Sequence, residues 1–279
     1  WLVLNRPEVA GFEVTGDNPS SELAGKLGDY IGAHAMVWYG DRRSAVAAIP
    51  DEILDAPERF PLLEKAEDRR RFWRGFAFGM KNQAKSTVQL HDLSHDFGRW
   101  ALAVWRALRS ENEPESTESR GSVILFALSW LSDAETKALD GLTLRPWWDE
   151  LRPLFREVAK CGALGDCFWL FFNLRDQDYH HLVTVDDVLG WTEALMGRFH
   201  AGEGSLVATL DERPNRGSDG TWRECLGYAA SAIGALGQAG RLSDERLKER
   251  ACAVLTTMQA TPLNVPDART ALHRLLNDN

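Results

Sequence analysis

LRPLFREVAKCGALGDCFWLFFNL, Leu151 to Leu174, is the most apolar region of the chain. It gathers Phe155, Leu164, Phe168, Trp169, Leu170, Phe171 and Phe172 around a small-residue turn, Gly162-Ala163-Leu164-Gly165. The pattern predicts two helices folded against each other, the second apolar on nearly every side. A helix that is apolar all round has to be covered all round, so helices from both flanks are expected to wrap it. Pro153 is expected near the first turn of a 153–160 helix, because in a helix interior it costs about 3 kcal/mol.

Towards the C-terminus the chain repeats one grammar. Thr184 and Asp187 form a near capping box ahead of a helix carrying Val188, Leu189, Trp191, Leu195, Met196 and Phe199. Trp222 to Leu236 follows, stopped by Gly237 and Gly240. Ser243-Asp244 then caps a helix with Leu247, Ala251, Val254, Leu255 and Met258. Pro262 and Pro266 set off a last helix with Ala271, Leu272, Leu275 and Leu276. Successive helices joined by short loops are the mark of an all-α chain, an irregular antiparallel helical array or HEAT-like α-solenoid. No repeat of fixed period is present.

Towards the N-terminus, Ser122 to Leu131 is a buried apolar segment. Ahead of it, SENEPESTESRG (110–121) is acidic, Ser-rich and free of apolar residues, which predicts an exposed, mobile linker. It divides an N-terminal helical subdomain (1–109) from a C-terminal helical-repeat subdomain (122–279). Within the first, Asp17-Asn18-Pro19-Ser20-Ser21 is a helix start. Leu62 to Asn82 is an amphipathic helix with Phe72, Trp73, Phe76 and Met80 towards the core. Its polar face bears Glu64, Glu67, Asp68, Arg69, Arg70 and Arg74. Phe97, Trp100, Val104, Trp105 and Leu108 mark another helix, from His91 to Leu108.

The bulk numbers fit this reading. The chain has 279 residues, room for one large helical domain or two ordinary ones. An apolar content of 44% with 26% charged residues belongs to a globular fold, not to a disordered chain. A net charge of −9 opposes general binding to nucleic acid or to anionic membranes. Cys161, Cys167, Cys225 and Cys252 form no C-x-x-C pair, and reduced thiols in a cytosolic protein are expected, with a Cys161–Cys167 bridge as the alternative. No signal peptide is visible. The apolar runs 122–131 and 167–172 fall short of the roughly 18 residues a spanning helix needs, so a cytoplasmic location without membrane contact is expected. The chain opens at Trp1 without an initiator Met and is expected to be a piece of a longer polypeptide.

A family resemblance accompanies these features. The opening WLVLNRPEV (1–9), the following DNPSSELAGKLGDYI (17–31) and the closing YAASAIGALGQAGRLSDERLKERACAVLTTMQ (228–259) resemble the C-terminal helical-repeat tails of large bacterial multidomain proteins. These are STAND-like, defence-associated proteins. The resemblance implies a helical-repeat region that senses or binds partners, downstream of catalytic domains that this chain lacks. It carries no functional residue across.

Motifs for chemistry are sparse. Gly25-Lys26 is followed by Leu27, where a phosphate-binding loop needs Ser or Thr for Mg²⁺. No G-x-G-x-x-G, G-x-S-x-G or H-E-x-x-H occurs. The sharpest cluster is His91-Asp92-Leu93-Ser94-His95-Asp96. His91 and His95 share a helix face, and Asp92 could complete a divalent-metal shell. Asp176, Asp178, His180 and His181 are a second ligand group that the fold could bring near. The plainer reading of the first cluster is a capped helix N-terminus. The basic run Arg69-Arg70-Arg71, with Phe72, Trp73 and Arg74, could grip phosphates and stack bases; Glu64, Glu67 and Asp68 within one turn argue for a salt-bridged face instead. Of the tryptophans, the adjacent pair Trp147-Trp148 points in two directions about 100° apart on a helix. With Arg145 it is the expected partner surface. The resulting expectation is a non-enzymatic scaffold, an interaction or sensor module with no cofactor. Its partner would be a protein or another domain of a longer chain. The alternatives are a metal-dependent enzyme at His91/His95 and nucleic-acid contact through Arg69–Arg74.

Overall fold

In the computed structural model, residues 151–174 form the end of one helix and most of the next. The structure describes residues 2–6, 19–35, 52–85, 97–111, 113–132, 138, 140–176, 182–203 and 222–277. Twelve α-helices run through them: α1 (Leu2–Asn5), α2 (Pro19–Ala35), α3 (Glu52–Asp55), α4 (Ala66–Lys85), α5 (Phe97–Leu108), α6 (Pro114–Ser132), α7 (Gly141–Cys161), α8 (Leu164–Asp176), α9 (Val185–Arg198), α10 (Trp222–Gln238), α11 (Glu245–Gln259) and α12 (Pro266–Asn277). No strand occurs among the described residues, so the all-α expectation is met. The chain divides into two compact units, Trp1–Ala127 with Pro146–Leu154, and Leu128–Arg145 with Phe155–Asn279.

The first unit is organised on a parallel helix pair that the sequence pattern did not announce. The partners of α2 and α4 rise together along both chains. The Ser20 and Ser21 hydroxyls donate to Asp68, Gly28 meets Phe72, and Gly32 meets Phe76. A Cβ on Gly28 would sit 2.0 Å from the Phe72 carbonyl oxygen, and one on Gly75 would sit 2.1 Å from that of Gly25. The two backbones therefore touch, with glycine removing the atoms that would hold them apart. The expected polar-face residue Asp68 is buried, 2% exposed. It sits in the first turn of α4 and accepts from the first turn of α2, so two positive helix ends face one carboxylate. On the other side of α4, Phe72, Trp73, Phe76 and Met80 are buried as expected, and Phe76 meets Trp100 of α5 edge-on at 5.6 Å.

The acidic segment 110–121 is not a linker. From Pro114 it is the start of α6, one helix that continues through the apolar run to Ser132. Pro114 stands at N1 and Glu115 in the first turn, both favoured there. Arg120 is fully buried, 1% exposed. Its guanidinium donates to the carbonyls of Leu108 (2.8 Å) and Glu111 (2.6 Å), closing the C-terminal end of α5. That placement satisfies orphan carbonyls and puts a cation at the negative end of the helix. The unit division falls inside α6, between Ala127 and Leu128, and not at 110–121.

α7 also departs from expectation. It is one 21-residue helix with Pro146 and Pro153 both in its interior, where each lacks the N–H that would continue the ladder. Asp140 caps it, accepting from the backbone N–H groups of Leu142 and Thr143.

In the second unit the odd-numbered helices contact one another, and so do the even-numbered ones. Phe155 of α7 meets Trp191 of α9 at 5.4 Å. Arg250 of α11 makes a two-pronged contact with Glu193 of α9, both bonds 2.6 Å, and also reaches Asp186. On the even side, Phe168 of α8 meets Tyr228 of α10, and Gly234 of α10 lies against Ala271 of α12. The pairs α9–α10 and α11–α12 also pack. α9 opens on a full capping box between Thr184 and Asp187, the sequence signal read there.

Candidate functional site

Helix α8 has too many large apolar residues for the cover it receives. Leu170 and Phe171 are buried, but Phe168, Trp169 and Phe172 are only half-buried. The expectation that this helix is wrapped on every side fails at those three rings. They form a cluster with Tyr228 from α10. Phe168 and Phe172 stack at 5.6 Å with a 12° interplanar angle. Tyr228 stands edge-on to both, 5.3 Å from each centroid. The Arg175 guanidinium lies 4.8 Å from the Phe172 ring and 4.7 Å from the Tyr228 ring. Two ring faces attract one cation, and the contacts hold a long, flexible side chain in place.

Next to this cluster is a groove of about 270 Å³. Arg175, Ser231, Gly234, Ala235, Gln238, Asp267, Thr270, Ala271 and Arg274 line it, from α8, α10 and α12. Along it α10 and α12 approach closely: a Cβ on Gly234 would lie 3.2 Å from the Ala271 Cβ, and one on Gly227 would lie 3.0 Å from the Asp267 carboxylate. Asp267, the one acid of the lining, accepts from the Ser231 hydroxyl at 3.2 Å. Aromatic and arginine side chains beside a groove are the residue types that dominate binding energy at protein interfaces.

A second groove, about 420 Å³, lies in the first unit between α2, α4 and α6. Its charges are spoken for on both sides. Lys26 pairs with Glu22 at 2.7 Å, and Arg74 binds Glu113, Glu115 and Ser116.

Those bonds decide the arginine run. Arg69 donates to the carbonyls of Leu63 and Glu64. Arg70 pairs with Glu67 and Glu111, and Arg71 with Glu67. Glu67 is held below the ordinary carboxylate range, first by its hydrogen bond from Arg70. The run and the acidic segment, two separate features in the sequence, are one ion-pair network. It uses the donors that a phosphate would need.

The expected partner surface is not one surface. Arg145 is exposed and Trp147 is half-buried, but Trp148 is among the most deeply buried side chains, 1% exposed. On a helix that runs unbroken from Gly141, Trp148 is a core residue. His91, Asp92, His95 and Asp96 lie outside the described residues, as do Asp178, His180 and His181; Asp176 is the last residue of α8. Among the described residues no group of three or more His, Cys, Asp or Glu could hold a metal ion.

The cysteines are all free thiols, so no Cys161–Cys167 bridge forms. Cys161 is exposed, whereas Cys167 and Cys225 are buried. The Cys167 thiol donates to the Val158 carbonyl and receives the Arg198 guanidinium at 3.5 Å. Burial pushes it up to about 12 despite that cation. Burial likewise raises Cys225, which donates to the Leu164 carbonyl. Both are neutral thiols that tie α8 to its neighbours, and neither is a nucleophile at ordinary pH.

The residues missing from the sequence reading are Arg175, Tyr228 and Arg274. One signal pointed at them: α8 is more apolar than any partner helix could fully cover, and Arg175 falls one turn beyond Phe172. No helix of the described residues is long and apolar enough to cross a membrane. Compared with known proteins, the chain matches no family model, no curated protein and no solved structure.

Proposed function

We propose that this chain is a non-enzymatic helical-repeat scaffold that docks a protein partner on the face formed by α8, α10 and α12. The observation that carries the reading is the half-buried cluster of Phe168, Phe172 and Tyr228 around Arg175, opening onto a groove. The architecture supports it. α7–α8, α9–α10 and α11–α12 read as three successive hairpins, with odd helices stacked on odd and even on even. That is the layering of a HEAT-like α-solenoid, in which each repeat buries its apolar face only against its neighbours. A cytosolic interaction or sensor module of a larger bacterial protein, of the STAND-like kind, fits this layering and the sequence texture. No cofactor enters the reading.

The test is a random-peptide display selection on the full chain. Peptides that bind the wild-type protein are expected to lose binding to a Tyr228→Ala variant whose circular dichroism is unchanged. Failure to enrich any peptide, or binders indifferent to Tyr228, would refute the docking face.

A further inference from the structure

We propose that the groove between α2, α4 and α6 of the first unit docks an amphipathic helix of a partner protein, one with basic residues flanking its apolar stripe. This surface is separate from the α8–α10–α12 face and does not depend on it.

Shape comes first. On α4 the groove is lined by Arg71, Arg74, Gly75 and Phe78, and on α6 by Glu115, Glu118, Ser119 and Ser122. Both sets are spaced i, i+3, i+4, i+7, so each is one ridge along its helix. The trough they border has a volume of about 420 Å³ and runs for about two helical turns. The ridge of a further helix fits between such ridges.

An anchor point comes second. Phe78 is 55% exposed, although Phe76, Ala77 and Met80 beside it on α4 are buried. A lone exposed ring is ordinary on a protein surface, but this one stands in the lining of a groove. Gly25, Gly75 and Ala77 add no polar side chain to that lining. What the ring offers a partner is apolar area.

Charge selects the partner. The cations of the lining are all engaged: Lys26 with Glu22, Arg71 with Glu67, and Arg74 with Glu113 and Glu115. Arg70 and Arg71 face Glu67 and Glu111, two for two. Arg74 is one cation for two carboxylates, whose side chains are 59% and 71% exposed. The rim at the start of α6 therefore carries more acid than base. A lysine or arginine of the partner completes the pairing there. A second copy of this face would set acid against acid, and a nucleic acid or an anionic membrane would be repelled.

The probe is a displayed library of helical peptides of ~14 residues, about four turns. Their apolar stripe is fixed and the flanking positions are random. The library is selected on the full chain and counter-selected on a Phe78→Ser variant whose circular dichroism is unchanged, which removes peptides bound elsewhere. Surviving sequences are expected to carry Lys or Arg at the flanks. A survivor is then measured by fluorescence anisotropy. Phe78→Ser should weaken it about tenfold or more, as loss of an anchor does. Glu115→Gln leaves Arg74 with one carboxylate and should weaken it about two- to fivefold. Ser122→Glu, which adds a carboxylate to the lining, should tighten it by a similar factor, a gain that loss of folding cannot mimic. Raised salt should weaken it. If no peptide survives the counter-selection, the groove is not a docking site. Survivors with neutral or acidic flanks, or survivors indifferent to both Glu115→Gln and Ser122→Glu, overturn the basic partner.

Discussion

Gly28→Ala and Gly25→Ala should move stability in opposite directions, though the two residues lie three apart on α2. At Gly28 the new Cβ would stand 2.0 Å from the Phe72 carbonyl oxygen, where ordinary contact begins at 3.4 Å. The helices would have to part by about the difference, 3.4 − 2.0 = 1.4 Å. No rotamer change can relieve it, because the obstacle is backbone. Overpacking costs about 1–3 kcal/mol where side chains can shift, and a gap of even ~0.5–1 Å already forfeits a quarter to a half of each contact across it. The upper end of that range applies. Alanine returns about 1 kcal/mol of helix propensity, leaving a net loss of about 2 kcal/mol or more. At Gly25 the nearest atom to a Cβ is the Arg71 carbonyl oxygen at 3.6 Å, an ordinary contact. There the propensity gain stands alone, and Gly25→Ala should stabilise by about 0.5–1 kcal/mol. Urea titration followed by far-UV circular dichroism reads both. A Gly28→Ala variant as stable as wild type would refute backbone contact between α2 and α4.

Two further predictions concern the second unit. Phe171→Ala should cost about 3–5 kcal/mol as a fully buried ring, and Trp169→Ala distinctly less because it is only half-buried; equal losses in urea midpoints would contradict the uneven cover of α8. The buried thiols make stability fall at high pH: the folded state keeps the protons of Cys167 and Cys225 above the ordinary thiol range, so the contribution is whole below about pH 9 and is lost as pH rises towards 12 for Cys167. Thermal midpoints should decline across that window, less steeply in Cys167→Ala, and a native thiol titration should label Cys161 well before Cys167 or Cys225.

The sequence revealed helix positions better than helix partners. The capping box at Thr184 and Asp187, the cap at Asp244, and the buried stripe Phe72–Trp73–Phe76 on α4 follow from local chemistry. What stayed hidden depends on pairing. The glycines of α2 look like helix weakeners until Gly75 and Gly79 are opposite them. The segment 110–121 looks like a linker because it has no apolar residue, yet Ser116 and Arg120 are buried by hydrogen bonding rather than by hydrophobicity. The pair Trp147-Trp148 points in two directions on a helix, and which of the two turns inward depends on the helices packed against α7; it is Trp148 that is buried. The site had the same fate: Phe168 and Phe172 were visible as apolar, but their exposure depends on how much of α8 Tyr228 and α10 leave open.

Parallel packing of α2 on α4 also sets a schedule. Parallel neighbours cannot be joined by a tight turn, and 75 − 28 = 47 residues separate Gly28 from Gly75. A ribosome adds about 5–20 residues per second, so α2 leaves the tunnel roughly 2–10 seconds before its partner. Gly25, Gly28 and Gly32 leave it poorly helical on its own through that interval. The N-terminal segment is thus an early-made piece that takes its form late, and the nascent chain presents it unpaired until α4 arrives.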